Sequence, residues 1–158
     1  MPEFEIRGGR DLARIVRELR KTGDGKQLVK QYRKELRAAA KPMVPAVRAS
    51  IRAIPAASGQ HSGLRQRMAS ATRLSVRTSG RKAEIAVRVD GRKMAPGEGA
   101  LPAYMDGRKR DWRHPVYGTR VWVRQEPHPY FDRAIAPIVP RSRVAIRLAT
   151  DAVAKQIT

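Results

Sequence analysis

The chain has 158 residues, the length of one domain with a modest core, and we expect a single domain over residues 1–158. Its 34 Lys+Arg against 14 Asp+Glu give a net charge of +20, which predicts a polyanionic partner or an acidic neighbouring subunit. The lack of cysteine excludes disulfides, thiolate nucleophiles and zinc sites built on sulfur, and no run approaches the ~18 apolar residues that cross a membrane.

The first third of the chain is predicted to be a short strand followed by helices. Residues 4–6 alternate between apolar and charged types, which indicates a half-buried strand. Apolar residues then recur every three or four positions, which predicts a helix over residues 11–21 and a longer one over residues 24–54. Pro42 lies inside the longer pattern, so we expect a kink or break near Lys41.

The long helix should carry a strongly basic face. Its exposed positions would be occupied by Lys26, Lys30, Arg33, Lys34, Arg37, Lys41, Arg48 and Arg52. This face is a candidate anion-binding surface, and the alternative interpretation is an ordinary solvated face of a surface helix.

A hairpin is the clearest feature of the middle of the chain. Residues 55–62 form a small polar loop, and Ser62 is expected to cap a short helix that contains Leu64 and Met68. The segments 74–77 and 83–89 have a period of two and are joined by a turn-forming link, which predicts two antiparallel strands. Arginines 73, 77 and 88 should point outward.

The stretch from Ala100 to Pro137 concentrates the large rings, with both tryptophans and three of the four tyrosines. Large rings bury the most apolar surface, so we expect a core around Trp122, Tyr130 and Phe131. The alternation over residues 121–124 predicts a third core strand, with Trp122 on the opposite face from the valines.

From Pro129 the chain is predicted to form a C-terminal helix interrupted at Pro137 and Pro140. Its apolar stripe would consist of Phe131, Ile135, Ile138, Val144, Leu148, Ala152 and Ile157. These elements together predict an α+β fold, in which a small antiparallel sheet packs with a long N-terminal helix and a C-terminal helix.

Cations and rings are interleaved just before the predicted third strand. The candidate interface or DNA-facing residues are Arg65, Arg108, Lys109, Arg110, Trp112, Arg113, Tyr117 and Arg120. Such a mixture suits phosphate contacts with base stacking, and it equally suits an oligomer interface, where arginine and aromatic residues are enriched.

The sequence gives no pattern for catalysis. His61, His114 and His128 have no metal-ligand spacing, and neither a P-loop nor a GxGxxG motif is present. The carboxylates are scattered, without the pairing that two-metal chemistry needs. We therefore expect a protein that is not an enzyme and that uses no metal or cofactor.

Three phrases of the sequence point to a family. The segments WRHPVYG (112–118) and PHPYFDRAIAP (127–137), preceded by SGLRQRM (62–68), resemble the neck or tail-completion proteins of long-tailed phages. That family has a TGxLR-like turn mid-chain and an HP(F/Y)…A phrase at the start of a C-terminal helix. This chain departs from the turn pattern, since Ser62 replaces the threonine and no residue separates Gly63 from Leu64.

The resemblance implies a structural virion protein of the head-tail connector, assembled in the host cytoplasm. Its partners would be other copies of itself in a ring, for which a hexamer fits the resemblance, and the adjoining connector and tail-tube proteins, with DNA passing through and no membrane. The resemblance does not separate a neck protein from a tail terminator. The alternative is a free basic nucleic-acid-binding protein that acts through residues 108–120.

Overall fold

The computed structural model describes residues 3–6, 9–55, 63–78, 83–109, 112–115 and 120–157. Within these residues the chain is a mixed α+β protein with a small antiparallel sheet, which confirms the predicted fold class. No helix in the described ranges is long and apolar enough to cross a membrane.

The chain opens with strand β1 (Glu3–Ile6) and helices α1 (Gly9–Leu19), α2 (Gly25–Ala40) and α3 (Met43–Arg52). Two helices thus replace the single long helix, and they separate where the break was predicted, because Pro42 has no N–H to continue the hydrogen-bond ladder. The buried positions stay in phase across this break: Val29, Tyr32, Leu36, Ala40, Met43, Val47 and Ile51.

The predicted hairpin forms the larger part of the main sheet. Helix α4 (Leu64–Ala71) leads directly into β2 (Thr72–Arg77), which pairs with β3 (Glu84–Val89), and β1 pairs with the other edge of β3, all antiparallel. Opposite each other on one face lie Leu74 and Val87, and Val76 and Ile85. This face packs on the helices, whereas Arg73 and Arg77 are exposed, as predicted. Arg88, also predicted to point outward, is half-buried and donates to Glu84 Oε1 at 3.0 Å.

The second half of the chain alternates short helices with a separate hairpin. In order come α5 (Leu101–Met105), β4 (Arg113–Pro115), β5 (Trp122–Arg124), α6 (Phe131–Ile135) and α7 (Val139–Ile157). Pro137 separates α6 from α7 as predicted. Pro140 does not interrupt α7, because it lies in the first turn, where a backbone N–H has no helical partner.

Helix α7 packs antiparallel on α2 through polar contacts. The hydroxyls of Tyr32 and Thr150 are 2.9 Å apart, and Ser142 Oγ donates to the carbonyl oxygen of Ala39 at 2.7 Å. The buried residues of α7 are Ser142, Ile146 and Val153.

The stripe predicted for α7 is therefore wrong for Val144, Leu148 and Ala152, whereas Ile157 is partly buried against the core. Val144 and Leu148 are 59% and 63% exposed, and Ala152 is exposed as well. The buried and partly buried positions Phe131, Ile135, Ile138, Ser142, Ile146 and Val153 keep a helical spacing through Pro137. The predicted stripe left this face at the six-residue step from Ile138 to Val144.

Two buried clusters form the core. One joins α3, α4, β3 and α6 around Tyr130 and Phe131, and we call it the aromatic cluster. The other joins α1, α2 and α7 around Tyr32 and Leu36, and we call it the helical cluster. The prediction of one core around the stretch 100–137 is thus correct for the aromatic cluster only, since the helical cluster uses residues from other parts of the chain.

Candidate interaction surface

The two ends of the segment 105–130 meet at Asp106. Its buried carboxylate accepts the backbone N–H groups of Tyr130 and Phe131 through Oδ1, each at 2.9 Å, which caps the start of α6. Close by, the N–H of His128 donates to the Met105 carbonyl oxygen at 2.7 Å. The described residues between these anchors therefore begin and end at one place on the fold.

Arg108 is bound by two carboxylates of its own chain, with 34% of its side chain still exposed. Its guanidinium donates to Asp106 Oδ2 at 2.7 Å and to Asp132 Oδ1 at 2.8 Å, and its Cζ lies 5.8 Å from the centre of the Phe131 ring. Burial lowers the pKa of Arg108, but these two carboxylates outweigh that effect and raise it. Arg108 therefore organises the base of the projecting segment.

A cleft of about 470 Å³ lies above this base. It is lined by Tyr104, Lys109, Trp112, Arg124, Gln125 and Pro127, and we call it the Trp112 cleft. The Tyr104 and Trp112 rings stack at 6.2 Å with 26° between their planes, and Lys109 Nζ lies 5.3 Å from the centre of the Tyr104 ring. A cleft with stacked rings and two cations can accept a flat or anionic group.

Beyond the cleft, β4 and β5 pair only with each other in the described part of the chain, with Arg113 opposite Arg124 and Pro115 opposite Trp122. Val121 and Trp122 are 60% and 58% exposed, and Val123 is also exposed. We call strands β4 and β5, together with Arg120 and Val121, the projecting hairpin.

The assignment of Trp122 to the core and of residues 121–124 to a core strand is wrong. Tyr130 and Phe131, in contrast, are fully buried, as predicted. Trp122 is exposed because β5 has only the three residues of β4 as a strand partner, and no described helix covers it. Residues two apart in a strand share a face, so Trp122 lies on the same side as Arg124 of the cleft.

The remaining predicted interface residues are divided between two places. Lys109, Trp112, Arg113 and Arg120 lie together on the cleft and the projecting hairpin, and Arg113 and Arg120 are exposed. Arg65 lies elsewhere, on α4, and its guanidinium donates to the carbonyl oxygen of Ile54. Arg110 and Tyr117 lie outside the described residues.

The sequence interpretation missed Tyr104, Arg124 and Gln125 as members of this surface. The sequence could have identified Arg124, because it follows Trp122 by two positions in an alternating segment. The sequence could not have identified Tyr104, since its contact with Trp112 depends on how α5 packs against the hairpin. Among the described residues, no group of three His, Cys, Asp or Glu side chains is placed to hold a metal ion.

Comparison of the chain with protein-family models, curated proteins and solved structures gives no match. The chemistry of the surface is thus the basis for a functional proposal, together with the sequence resemblance described above.

Proposed function

We propose that the chain is a structural, non-catalytic subunit of the neck or tail-completion region of a long-tailed phage, assembled in the host cytoplasm and carried in the virion. The observation that carries the proposal is the exposure of Trp122 on the projecting hairpin, with Val121 and Val123 exposed on the opposite face of the strand. A large exposed aromatic side chain is typical of a surface that another protein covers.

The rim of this surface supports the same proposal. Arg124 lies on the same strand face as Trp122 with Arg113 opposite it, and Arg120 is exposed two residues before Trp122. An aromatic anchor beside a polar rim is the usual anatomy of a protein interface. A closed ring needs two different patches on each subunit, so the hairpin would contact a different surface on the next copy.

The test is the native mass of nuclease-treated protein across a salt series, measured by light scattering after size exclusion, for the wild type and for Trp122→Ala. We expect a discrete oligomer for the wild type and a monomer for the variant. Because the ring is exposed, the variant should lose less than about 1 kcal/mol of unfolding free energy.

The matched control is Leu148→Ala, which removes an equally exposed apolar side chain from α7. This variant should assemble like the wild type. If Trp122→Ala also assembled normally, the projecting hairpin would not be the subunit interface and the proposal would fail.

A second candidate function rests on the Trp112 cleft. The stacked Tyr104 and Trp112 rings, with Lys109 and Arg124 beside them, would suit the bases and phosphates of a single-stranded nucleic acid. In that case the protein would stay a monomer or dimer across the salt series and change mass only when nucleic acid is added. Its affinity would fall steeply with salt and on changing Trp112→Leu.

A further inference from the structure

A stripe of cations runs along one side of helix α2. Successive residues of an α-helix are about 100° apart, and the six members of the stripe fall within about 100° of the circumference and extend over about 22 Å of the axis. All six are exposed: Lys26, Lys30, Arg33, Lys34, Arg37 and Lys41. Lys41 follows the last residue of α2 and keeps a helical backbone conformation. We call these residues the α2 basic stripe.

The two arginines of α3 do not extend the stripe. Arg48 is half-buried and donates to the carbonyl oxygen of Thr72 at 3.0 Å. Arg52 donates through Nε to Gln66 Oε1 at 3.4 Å. The basic face predicted for residues 24–54 therefore narrows to the part that ends at Lys41.

No carboxylate of the described residues forms an ion pair with the α2 basic stripe. Glu35 is on the same helix, but it lies about 150° around the axis from the middle of the stripe. Its Oε1 accepts from Gln31 Nε2 at 3.2 Å. Asp24 precedes the helix and makes no capping hydrogen bond. The stripe therefore presents positive charge that its own helix does not neutralise.

Helix α1 shows the more usual arrangement of surface charge. Arg14 pairs with Asp11 at 3.7 Å, and Lys21 pairs with Glu18 at 2.9 Å. Helix α2 has no acidic residue in its first turn, although negative charge is favourable there, and it has Lys26 instead. Like charges four residues apart also weaken a helix. The stripe thus destabilises the free helix, which indicates that its charges are used for contact with an anion.

The residue types of the stripe favour phosphates over protein carboxylates. Four of the six cations are lysines, although arginine is the commoner cation in this chain. The planar fork of arginine suits the bidentate recognition of one carboxylate, whereas lysine is a point charge on a flexible stem. Such point charges suit a row of phosphates that is contacted without fixed geometry.

The shape of the stripe favours a duplex over a single strand. Single-stranded nucleic acids are bound largely by stacking on aromatic rings, and the stripe contains no aromatic residue. Duplex DNA has one negative charge per about 1.7 Å of its axis, so a straight stripe of about 22 Å faces more phosphates than it has cations.

We propose that the α2 basic stripe binds the phosphate backbone of double-stranded DNA without reading its sequence. Contacts to phosphates position a protein on DNA and carry no sequence information, and the affinity comes from the release of counterions. The stripe is a different surface from the projecting hairpin and the Trp112 cleft. The proposal therefore stands whether or not the chain forms a ring.

The test compares two triple variants that lose the same charge and the same residue types. The stripe variant carries Lys30→Gln, Lys34→Gln and Arg37→Gln. The control variant carries Lys93→Gln, Arg133→Gln and Lys155→Gln, which change exposed cations on three different elements. Because all the changed side chains are exposed, both variants should keep the helix content of the wild type, measured by circular dichroism.

Binding is measured by fluorescence anisotropy on nuclease-treated protein across a sodium chloride series. The probe is a labelled duplex of mixed sequence and about 20 base pairs, which is longer than the stripe. The stripe variant should bind about tenfold or more weakly, and the slope of log K against log salt should become shallower by about 2–3. The control variant should stay within about threefold of the wild type, with a slope that changes by less than about 1.

The same measurements are repeated in the Trp122→Ala background. The loss caused by the stripe variant should be the same there, so that failure of the hairpin as a subunit interface and failure of the stripe as a DNA site are separately visible. Two unlabelled competitors identify the ligand. Polyglutamate at equal concentration of charge, and a single strand of the same length, should each displace the duplex less effectively than unlabelled duplex does.

Three results would overturn the proposal. The first is an equal loss of affinity in the stripe and control variants, because binding would then depend on the net charge and not on α2. The second is competition by polyglutamate that equals that of duplex DNA, since the partner would then be an acidic protein. The third is tighter binding of the single strand than of the duplex, which would assign the nucleic acid to the stacked rings of the Trp112 cleft.

Discussion

At the scale of single residues, the buried carboxylate of Asp106 holds together the elements that carry the candidate interaction surface. Its two oxygens accept from the backbone of α6 and from Arg108, so one side chain joins the end of α5, the start of α6 and the base of the projecting segment. A buried charge with several donors is strongly stabilised, and its removal leaves those donors without an acceptor.

Changing Asp106→Ala should therefore lower the unfolding free energy by about 2–4 kcal/mol, measured by urea denaturation. The control is Asp132→Ala, which removes the exposed carboxylate that binds the same guanidinium. That change should cost less than about 1 kcal/mol. Equal losses would mean that the contact with Arg108, and not the helix cap, carries the stabilisation.

Glu98 and Arg67 form the most complete ion pair between distant parts of the described chain. Arg67 Nε donates to Glu98 Oε2 at 2.8 Å and Nη2 donates to Oε1 at 2.6 Å, which ties α4 to the loop before α5. The hydrogen bonds from Arg67 lower the pKa of Glu98. Because the folded-state pKa lies below the unfolded value, the pair stabilises the fold above the ordinary glutamate pKa and loses its effect as pH falls through the folded value.

The melting temperature of Glu98→Gln should therefore lie below that of the wild type at neutral pH, and the difference should shrink as pH falls below about 4.3. Arg67→Gln should converge with the wild type in the same way, because it breaks the same pair. A difference that is as large at about pH 3 as at neutral pH would contradict the assignment.

Residue type alone predicted that Tyr130, Phe131 and Trp122 are all buried in the core, which is correct for Tyr130 and Phe131 and wrong for Trp122. All three are large rings in one segment, so composition could not separate them. What separates them is the helix cap at Asp106, which turns Tyr130 and Phe131 inward, whereas Trp122 sits on a strand with a single short neighbour.

At the scale of elements, the face that α7 buries is the clearest difference between the sequence pattern and the structure. The sequence offers two competing stripes on this helix, and the one with Val144 and Leu148 is exposed. The buried one includes Ser142 and leads to Thr150, because these hydroxyls make hydrogen bonds at the contact with α2. Polar groups with specific partners are invisible to a hydrophobic pattern.

The orientation of α7 about its own axis predicts opposite effects on stability for two neighbouring substitutions. Ile146→Ala should lower the unfolding free energy by about 2–4 kcal/mol, because it leaves a cavity in the helical cluster. Leu148→Ala should change it by less than about 0.5 kcal/mol. Chemical denaturation of both variants checks this, and the reverse order would mean that α7 packs with the other face inward.

The break between α2 and α3, in contrast, was predictable. Proline lacks a backbone N–H donor in every environment, so the helix break at Pro42 can be predicted from the residue type alone. The hairpin of β2 and β3 was predictable for a similar reason, since alternation and turn residues are local signals. The features that depend on local sequence were predicted, whereas the contacts between elements distant along the chain were not.

At the scale of the whole molecule, the net charge of +20 is the dominant feature. Cations crowd the exposed face of α2, and few carboxylates lie nearby. This repulsion opposes folding of the free subunit and is screened by salt. The chain should therefore be more stable where counter-charges are plentiful.

Raising sodium chloride from about 10 mM to about 500 mM should raise the melting temperature of the nuclease-treated protein, since the Debye length falls to a few ångström. Calorimetry measures this directly. A melting temperature that falls with salt would mean that the ion pairs of the fold, such as that of Glu98, outweigh the general repulsion.

The overall fold class followed from the sequence, but the division into two core clusters did not. Leu74 contacts both clusters, and β3 supplies Ile85 to one and Val87 to the other. Such sharing follows from how the sheet meets α2 and α3, which the order of elements along the chain does not determine.

The projecting hairpin has a thermodynamic consequence for assembly. A two-stranded ribbon of three residue pairs is only marginally ordered in water, so a partner that covers Trp122 must also restrict the backbone beneath it. That loss of conformational entropy weakens a single encounter between two free subunits. Each contact of a ring should therefore be weak when it forms alone, and the discrete oligomer is favoured because every subunit of a closed ring makes two such contacts at once.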